Sequence, residues 1–161
     1  MDCMKYLIAL LAVAGLFVSV RALQVHLMDP SATPPCAVSE HWDCGTVNHS
    51  KYSVFPPLTF DEAPGKLHIP VAAIGITGYV LIAAFALMGR MRIVLELARI
   101  GFFCAAFLSY IEAYVIGTWC IYCVWSQTII TAILLASVVA VVLRRRRRAA
   151  SMRAVLAEYV D

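Results

Sequence analysis

Six cysteines carry the chemistry this chain can do: Cys3, Cys36, Cys44, Cys104, Cys120 and Cys123. Cys120 and Cys123 form a C-x-x-C, and Cys36 and Cys44 stand close together in a polar segment. Thiolates attack disulfides, so two such pairs can pass a disulfide between them when their sulfurs line up and their Cα atoms come within about 7 Å. Val124 follows Cys123 where covalent haem attachment needs a histidine, which excludes that use of the motif. Two other readings of the cysteines stay open. Cys36, His41, Cys44 and His49 could supply four ligands to zinc, although their spacing departs from the usual zinc patterns. Two static disulfides could also staple a small membrane protein.

The elements that must position these groups follow from composition. The chain is 62% hydrophobic and 14% charged, with a mean hydropathy of +0.82. A soluble globule is about half apolar and about a quarter charged, so a water-soluble domain and a disordered chain are both excluded. Four stretches approach the roughly 20 apolar residues that cross about 30 Å of hydrocarbon: 6–23, 69–88, 93–116 and 119–143. Tight turns at 89–92 and at Gly117-Thr118 make the last three successive antiparallel neighbours. Lys5, Arg90, Arg92 and the arginine run 144–148 fall on one side, and short cytoplasmic segments are enriched in such cations. The expected fold is therefore an all-α membrane protein. It is a four-transmembrane-helix bundle (1–148) with both termini cytoplasmic, a long extracytoplasmic loop (24–68), and a short, frayed cytoplasmic tail (149–161). A cleaved signal peptide ahead of three spans is the alternative, and Arg21 fits its cleavage site poorly.

In this frame Cys36 and Cys44 lie in the exterior loop, and the C-x-x-C opens the fourth helix at its exterior end. Both pairs share one side of the membrane and one depth, in a compartment where disulfides persist. Gly117 breaks the third helix and Thr118 is a plausible N-cap. Cys120 then lies in the first turn, exterior-facing, where free amides and the helix dipole favour a thiolate. Cys123 lies one turn deeper. Cys3 and Cys104 read as small hydrophobic residues. Glu112 is an acid about one turn inside the third helix, either a proton donor or an interface carboxylate. Glu96 and Arg99 form an i, i+3 pair without further role. Tyr110, Tyr114, Trp119, Tyr122 and Trp125 gather at the same end, as pocket lining or as an interfacial belt.

These residues resemble the vitamin K epoxide reductase family. The loop pair with seven intervening residues, Ser50 six residues after Cys44, the His68-Ile69-Pro70 opening of the second helix, Tyr79 and the C-x-x-C of the fourth all match its pattern. The resemblance covers about 7–143. There are departures: 54–67 is longer than is typical and reads as a lid or partner-docking loop, and His68 replaces a glycine usual in bacterial members. Val71 stands where animal enzymes carry a quinone-contacting asparagine, and Gln127 where they carry a tyrosine.

The resemblance implies a membrane thiol–disulfide oxidoreductase and a two-step relay. A separate thioredoxin-like protein would reduce the Cys36–Cys44 disulfide at Cys36, and Cys44 would then attack Cys120. Cys123 would hand electrons to a quinone (ubiquinone, menaquinone or vitamin K), with no metal involved. Ser50, Val54 and Phe55 would hold the loop over the bundle mouth. Glu112, Tyr114, Tyr122 and Gln127 are the residues expected around the quinone. The Ile-Pro motif points to the inner membrane of a bacterium. The alternative is a vitamin K quinone or epoxide reductase of the endoplasmic reticulum, where Asn48-His49-Ser50 would be a glycosylation sequon.

Overall fold

The computed structural model describes residues 2–31, 34, 36–39, 41–58 and 67–160. Within them the chain is mostly helical: α1 (Asp2–His26), a short α2 (Cys44–Asn48), α3 (Val71–Leu87), α4 (Met91–Ile111) and α5 (Ile121–Val160). Two short strands, β1 (Val54–Phe55) and β2 (Ile69–Pro70), pair antiparallel with Val54 opposite Pro70 and Phe55 opposite Ile69. Three helical segments are long and apolar enough to cross a membrane: Cys3–His26, Met91–Ile116 and Ile121–Arg153. The protein is a membrane protein.

The helices pack through small side chains, as apolar helices do where lipid supplies no hydrophobic drive and close backbone approach must. Ala12, Ala86, Ala98 and Ala140 are buried between helices with Ile8, Ile82, Val94 and Ile133. Large residues turn outward instead, with Leu10, Phe17, Phe103, Phe107 and Leu135 all exposed. α1 lies against α3 and α5, and α4 against α5 and α3. At the α1–α3 crossing Gly15 faces the ring of Tyr79, leaving no space for a Cβ. The Tyr79 hydroxyl reaches α5, donating to the carbonyl of Ser126 (3.0 Å) and lying 2.9 Å from its hydroxyl. One tyrosine thus ties three helices together just below the cysteine end.

Two expected boundaries move. The segment expected as a helix over 69–88 begins only at Val71. Ile69 and Pro70 are strand residues, and the first helical amide, that of Val71, donates to Ser53 O (2.8 Å). α3 therefore has 17 residues and rises about 25 Å at 1.5 Å each. At the other end, the helix expected to stop at 143 runs unbroken through the arginines to Val160. No glycine or proline follows Gly117, and Arg, Ala, Met, Leu and Glu all favour helix. The tail is thus a continuation of α5. Arg144 bonds back to the α3–α4 turn, its Nη1 donating to Gly89 O (2.6 Å).

Gly15→Ala should test the α1–α3 crossing. Pushing a methyl into the Tyr79 ring should cost about 1–3 kcal/mol, read as a lower thermal midpoint in detergent. An unchanged midpoint would mean that the crossing is loosely packed.

Candidate active site at the cysteine end of the bundle

Between α1 and β1 the chain folds back over the open ends of the helices. His26, at the end of α1, sets its Nδ1 2.6 Å from the carbonyl of Asn48. His49 faces two carbonyls, Gly45 O through Nδ1 (3.0 Å) and Met28 O through Nε2 (3.1 Å). The two rings stack with centroids 6.3 Å apart. α2 is capped by Asp43, whose Oδ1 accepts from the amides of Gly45 (2.7 Å) and Thr46 (3.3 Å), while Oδ2 accepts from the Thr46 hydroxyl (2.7 Å). Only Ser, Thr, Asn and Asp cap in this way. The Thr46 hydroxyl, and behind it the two amides, hold the Asp43 carboxyl below the ordinary carboxylate range.

The decisive contact is a backbone bridge. Trp42 pairs in parallel with Trp119: the Asp43 amide donates to Trp119 O (3.1 Å), and the Trp119 amide donates to His41 O (2.9 Å). Cys44 directly follows Asp43, and Cys120 directly follows Trp119. The bridge therefore brings the two cysteine pairs together. Cys36 and Cys44 are joined in a disulfide with Cα atoms 5.8 Å apart, while Cys120 and Cys123 are free thiols. Cys36, Cys44 and Cys120 share one buried cluster with Val25 and Val47, and Ile116, Tyr122 and Cys123 pack against it. Cys36 keeps 8% of its surface exposed, whereas Cys44 and Cys120 keep none.

Cys120 is held at every polar atom. Its amide donates to Glu112 Oε2 (3.0 Å), and its carbonyl accepts the first helical bond of α5, from Val124 (3.1 Å). Its sulfur lies 3.5 Å from the side-chain amide nitrogen of Asn48, which also donates to Cys44 O (2.8 Å). Cys120, not Thr118, stands at the N-cap position of α5. Its sulfur also lies beneath the folded loop, not open to the exterior as the sequence suggested. Upstream, α4 ends in a π-turn (Glu112–Ile116) closed by the Gly117 amide on Glu112 O (2.9 Å), with Gly117 in the left-handed region at φ 76°. The wider turn sets Glu112 inward, 2% exposed. π-turns inside helices often mark functional sites.

Behind the cluster opens a cavity of about 270 Å³ whose wall is mostly apolar, including Val71, Ile74, Leu97 and Ile111. Cys123, Tyr122, Glu112, Ser50, Asn48 and Cys104 also border it. Cys123 thus faces the cavity while Cys120 faces the loop. Of the residues expected around a quinone, Glu112 and Tyr122 line this cavity. Tyr114 does not: it is 78% exposed and packs on Tyr110 along the outer face. Gln127 does not either, its amide nitrogen lying 3.4 Å from Thr131 Oγ1 on the next turn of α5. Phe55 points outward, whereas Val54 is buried. Ser50 borders the cavity, and its hydroxyl has no hydrogen-bond partner among the described residues. Of the four residues weighed as zinc ligands, Cys36 and Cys44 are bonded to each other and both His49 nitrogens face carbonyls. Residues 59–66, the core of the supposed lid, lie outside the described residues.

A sequence profile of the vitamin K epoxide reductase family matches residues 6–138. The chain belongs to that family. No curated protein matches it. Membership makes the protein a membrane oxidoreductase of the class that acts on thiols and quinones.

Sequence reasoning had passed over Asn48, seen there only as part of a sequon, although its place four residues after Cys44 puts it one turn on in any short helix the cysteine begins. It had also missed the bridge at Trp42 and Trp119. Asp43 also went unremarked as a cap, although Asp-x-x-Thr just ahead of a helical turn is a capping signal.

Asp43→Ala should lower the thermal midpoint by the equivalent of about 1 kcal/mol, the usual worth of an N-cap. Because folding holds this carboxyl below its ordinary range, its contribution is complete above about pH 4 and fades as pH falls below that value. Midpoints taken from pH 6 to pH 3 should therefore converge for wild type and Asp43→Ala at the acid end. A constant gap would refute the cap.

Proposed function

We propose that the protein oxidises thiols of a separate thioredoxin-like protein outside the cytoplasm and passes the electrons to a membrane quinone. In this reading α1, α3, α4 and α5 all span the bilayer, the arginine end is cytoplasmic, and 24–68 folds over the exterior mouth. The membrane is the inner membrane of a bacterium. The cation distribution supports the orientation, since Arg90, Arg92 and 144–148 gather at the end opposite the disulfide. α3 is short for a span but apolar throughout, and its neighbours can thin the bilayer around it.

The observation that carries the proposal is the Asn48 amide, which holds the Cys44 backbone and the Cys120 sulfur at once, at 2.8 and 3.5 Å. The relay then runs in three balanced steps. A partner dithiol attacks the Cys36–Cys44 disulfide at Cys36, the more exposed sulfur; the partner leaves as a disulfide and the loop pair as two thiols. Cys44 attacks Cys120 in the oxidised helix pair, releasing Cys123, and Cys36 resolves the mixed disulfide. The helix dithiol finally closes to a disulfide, giving two electrons and two protons to a quinone, which leaves as the quinol. The arrangement described here, with the loop pair joined and the helix pair free, corresponds to the stage before that last step.

The cavity suits the acceptor, being apolar, open to a helix interface and bordered by Cys123. Cysteine substitution separates the steps. Cys120→Ala and Cys123→Ala should abolish quinone reduction with either a protein dithiol or a small one. Cys36→Ala and Cys44→Ala should abolish it with the protein dithiol and leave it with the small one. Equal losses in all four with the small dithiol would refute the order of the relay.

A further inference from the structure

Among the described residues, two side-chain atoms bordering the cavity are buried without a hydrogen-bond partner: Ser50 Oγ and Glu112 Oε1. Buried polar atoms are almost always paired, and leaving one unpaired in apolar surroundings costs about 1–3 kcal/mol or more. A ligand with an apolar body and oxygen atoms at separate points would satisfy both atoms. The carboxyl is the more telling of the two. Its other oxygen is fixed by the Cys120 amide at 3.0 Å, and Cys123 borders the same cavity. Glu112 therefore touches the backbone of one active cysteine and shares the cavity with the other. Among the described residues no lysine, arginine or histidine is paired with it. Glu96, the other acid of α4, is exposed and paired with Arg99 (3.1 Å).

We infer that Glu112 is the proton carrier of the quinone step, a catalytic residue and not merely a positioning one. The inference rests on the function proposed above and adds the route of the protons. In the reacting state the carboxylic acid donates its proton to the nearer quinone oxygen as electrons leave the helix dithiol. The resulting carboxylate takes a proton from the C-x-x-C thiols as the Cys120–Cys123 bond closes. One S–S bond forms, two S–H bonds break, and the quinone gains two electrons and two protons. Glu112 ends as it began. The second proton leaves the dithiol for the farther quinone oxygen, on the Ser50 side of the cavity, through solvent at the mouth. The π-turn makes this possible, because its wider loop turns a residue near the helix end into the bundle while Gly117 redirects the chain to Cys120.

Glutamine separates carrying from holding. Glu112→Gln keeps an oxygen to accept from the Cys120 amide and a group to meet the quinone, but no transferable proton. With pre-reduced protein and a water-soluble ubiquinone analogue, kcat should fall by about 10²–10⁴-fold, the usual worth of general acid–base catalysis, while KM for the quinone changes by less than about threefold. Reduction of the Cys120–Cys123 disulfide by dithiothreitol, followed without quinone, should stay at the wild-type rate. Glu112→Leu, which loses both roles, should slow both half-reactions. Wild-type quinone turnover in Glu112→Gln would overturn the inference and leave the proposed function standing. So would a loss confined to dithiothreitol reduction, which would make Glu112 only a prop for Cys120. Wild-type protein that reduces the helix disulfide but no quinone would overturn both.

Discussion

Everything at the working end depends on two hydrogen bonds between backbone atoms. The polar segment after α1 and the turn before α5 meet as a one-residue parallel bridge, with Cys44 two residues after Trp42 and Cys120 directly after Trp119. Backbone pairing of this kind is indifferent to the redox state of the sulfurs. The contact can persist while the disulfide moves, which a disulfide used as its own staple could not allow. The Asp43 cap, the two stacked histidines and the β1–β2 pair hold the described parts of the loop around the bridge.

The site divides its sulfurs by environment. The loop disulfide lies toward water through Cys36, Cys44 and Cys120 are sealed beneath the loop, and Cys123 borders an apolar cavity. A two-electron carrier between a water-soluble thiol and a lipid-soluble quinone needs such a gradient, since neither substrate enters the other's solvent. Cys120 and Cys123 lie three residues apart, nearly one helical turn, so a single turn of α5 joins the sealed compartment to the cavity. Below that turn, Tyr79 locks α1, α3 and α5 around the cavity wall.

Much of this was legible in the residues. Apolar length and the placement of arginine announced a membrane protein, and the spacing of four cysteines with Ser50 and Ile69-Pro70 announced the family. The cysteine pairing in the loop was legible only through the family resemblance. What escaped was set by tertiary contacts between segments about 75 residues apart. Nothing local to Trp42 predicts that its neighbours bond Trp119, and nothing local to Asn48 predicts a sulfur from α5. Tyr114 and Gln127, expected beside the quinone, do not border the cavity. Tyr114 sits within the π-turn Glu112–Ile116 and lies exposed on the outer face, while Gln127 belongs to the separate helix α5 and faces Thr131. Glu112 itself moved from an open question to the centre of the site, because only the fold shows which atoms surround it.

The central claim is that Cys44 and Cys120 stand close enough to bond while the bridge is in place. Its most direct test is a chain carrying Cys36→Ala and Cys123→Ala together, expressed in native membranes, alkylated without reduction and digested. Mass spectrometry should find a peptide pair joined through Cys44 and Cys120, and the same pair should disappear when proline at position 43 removes the amide that bonds Trp119. Recovery of both cysteines as separate alkylated peptides under oxidising conditions would contradict the account.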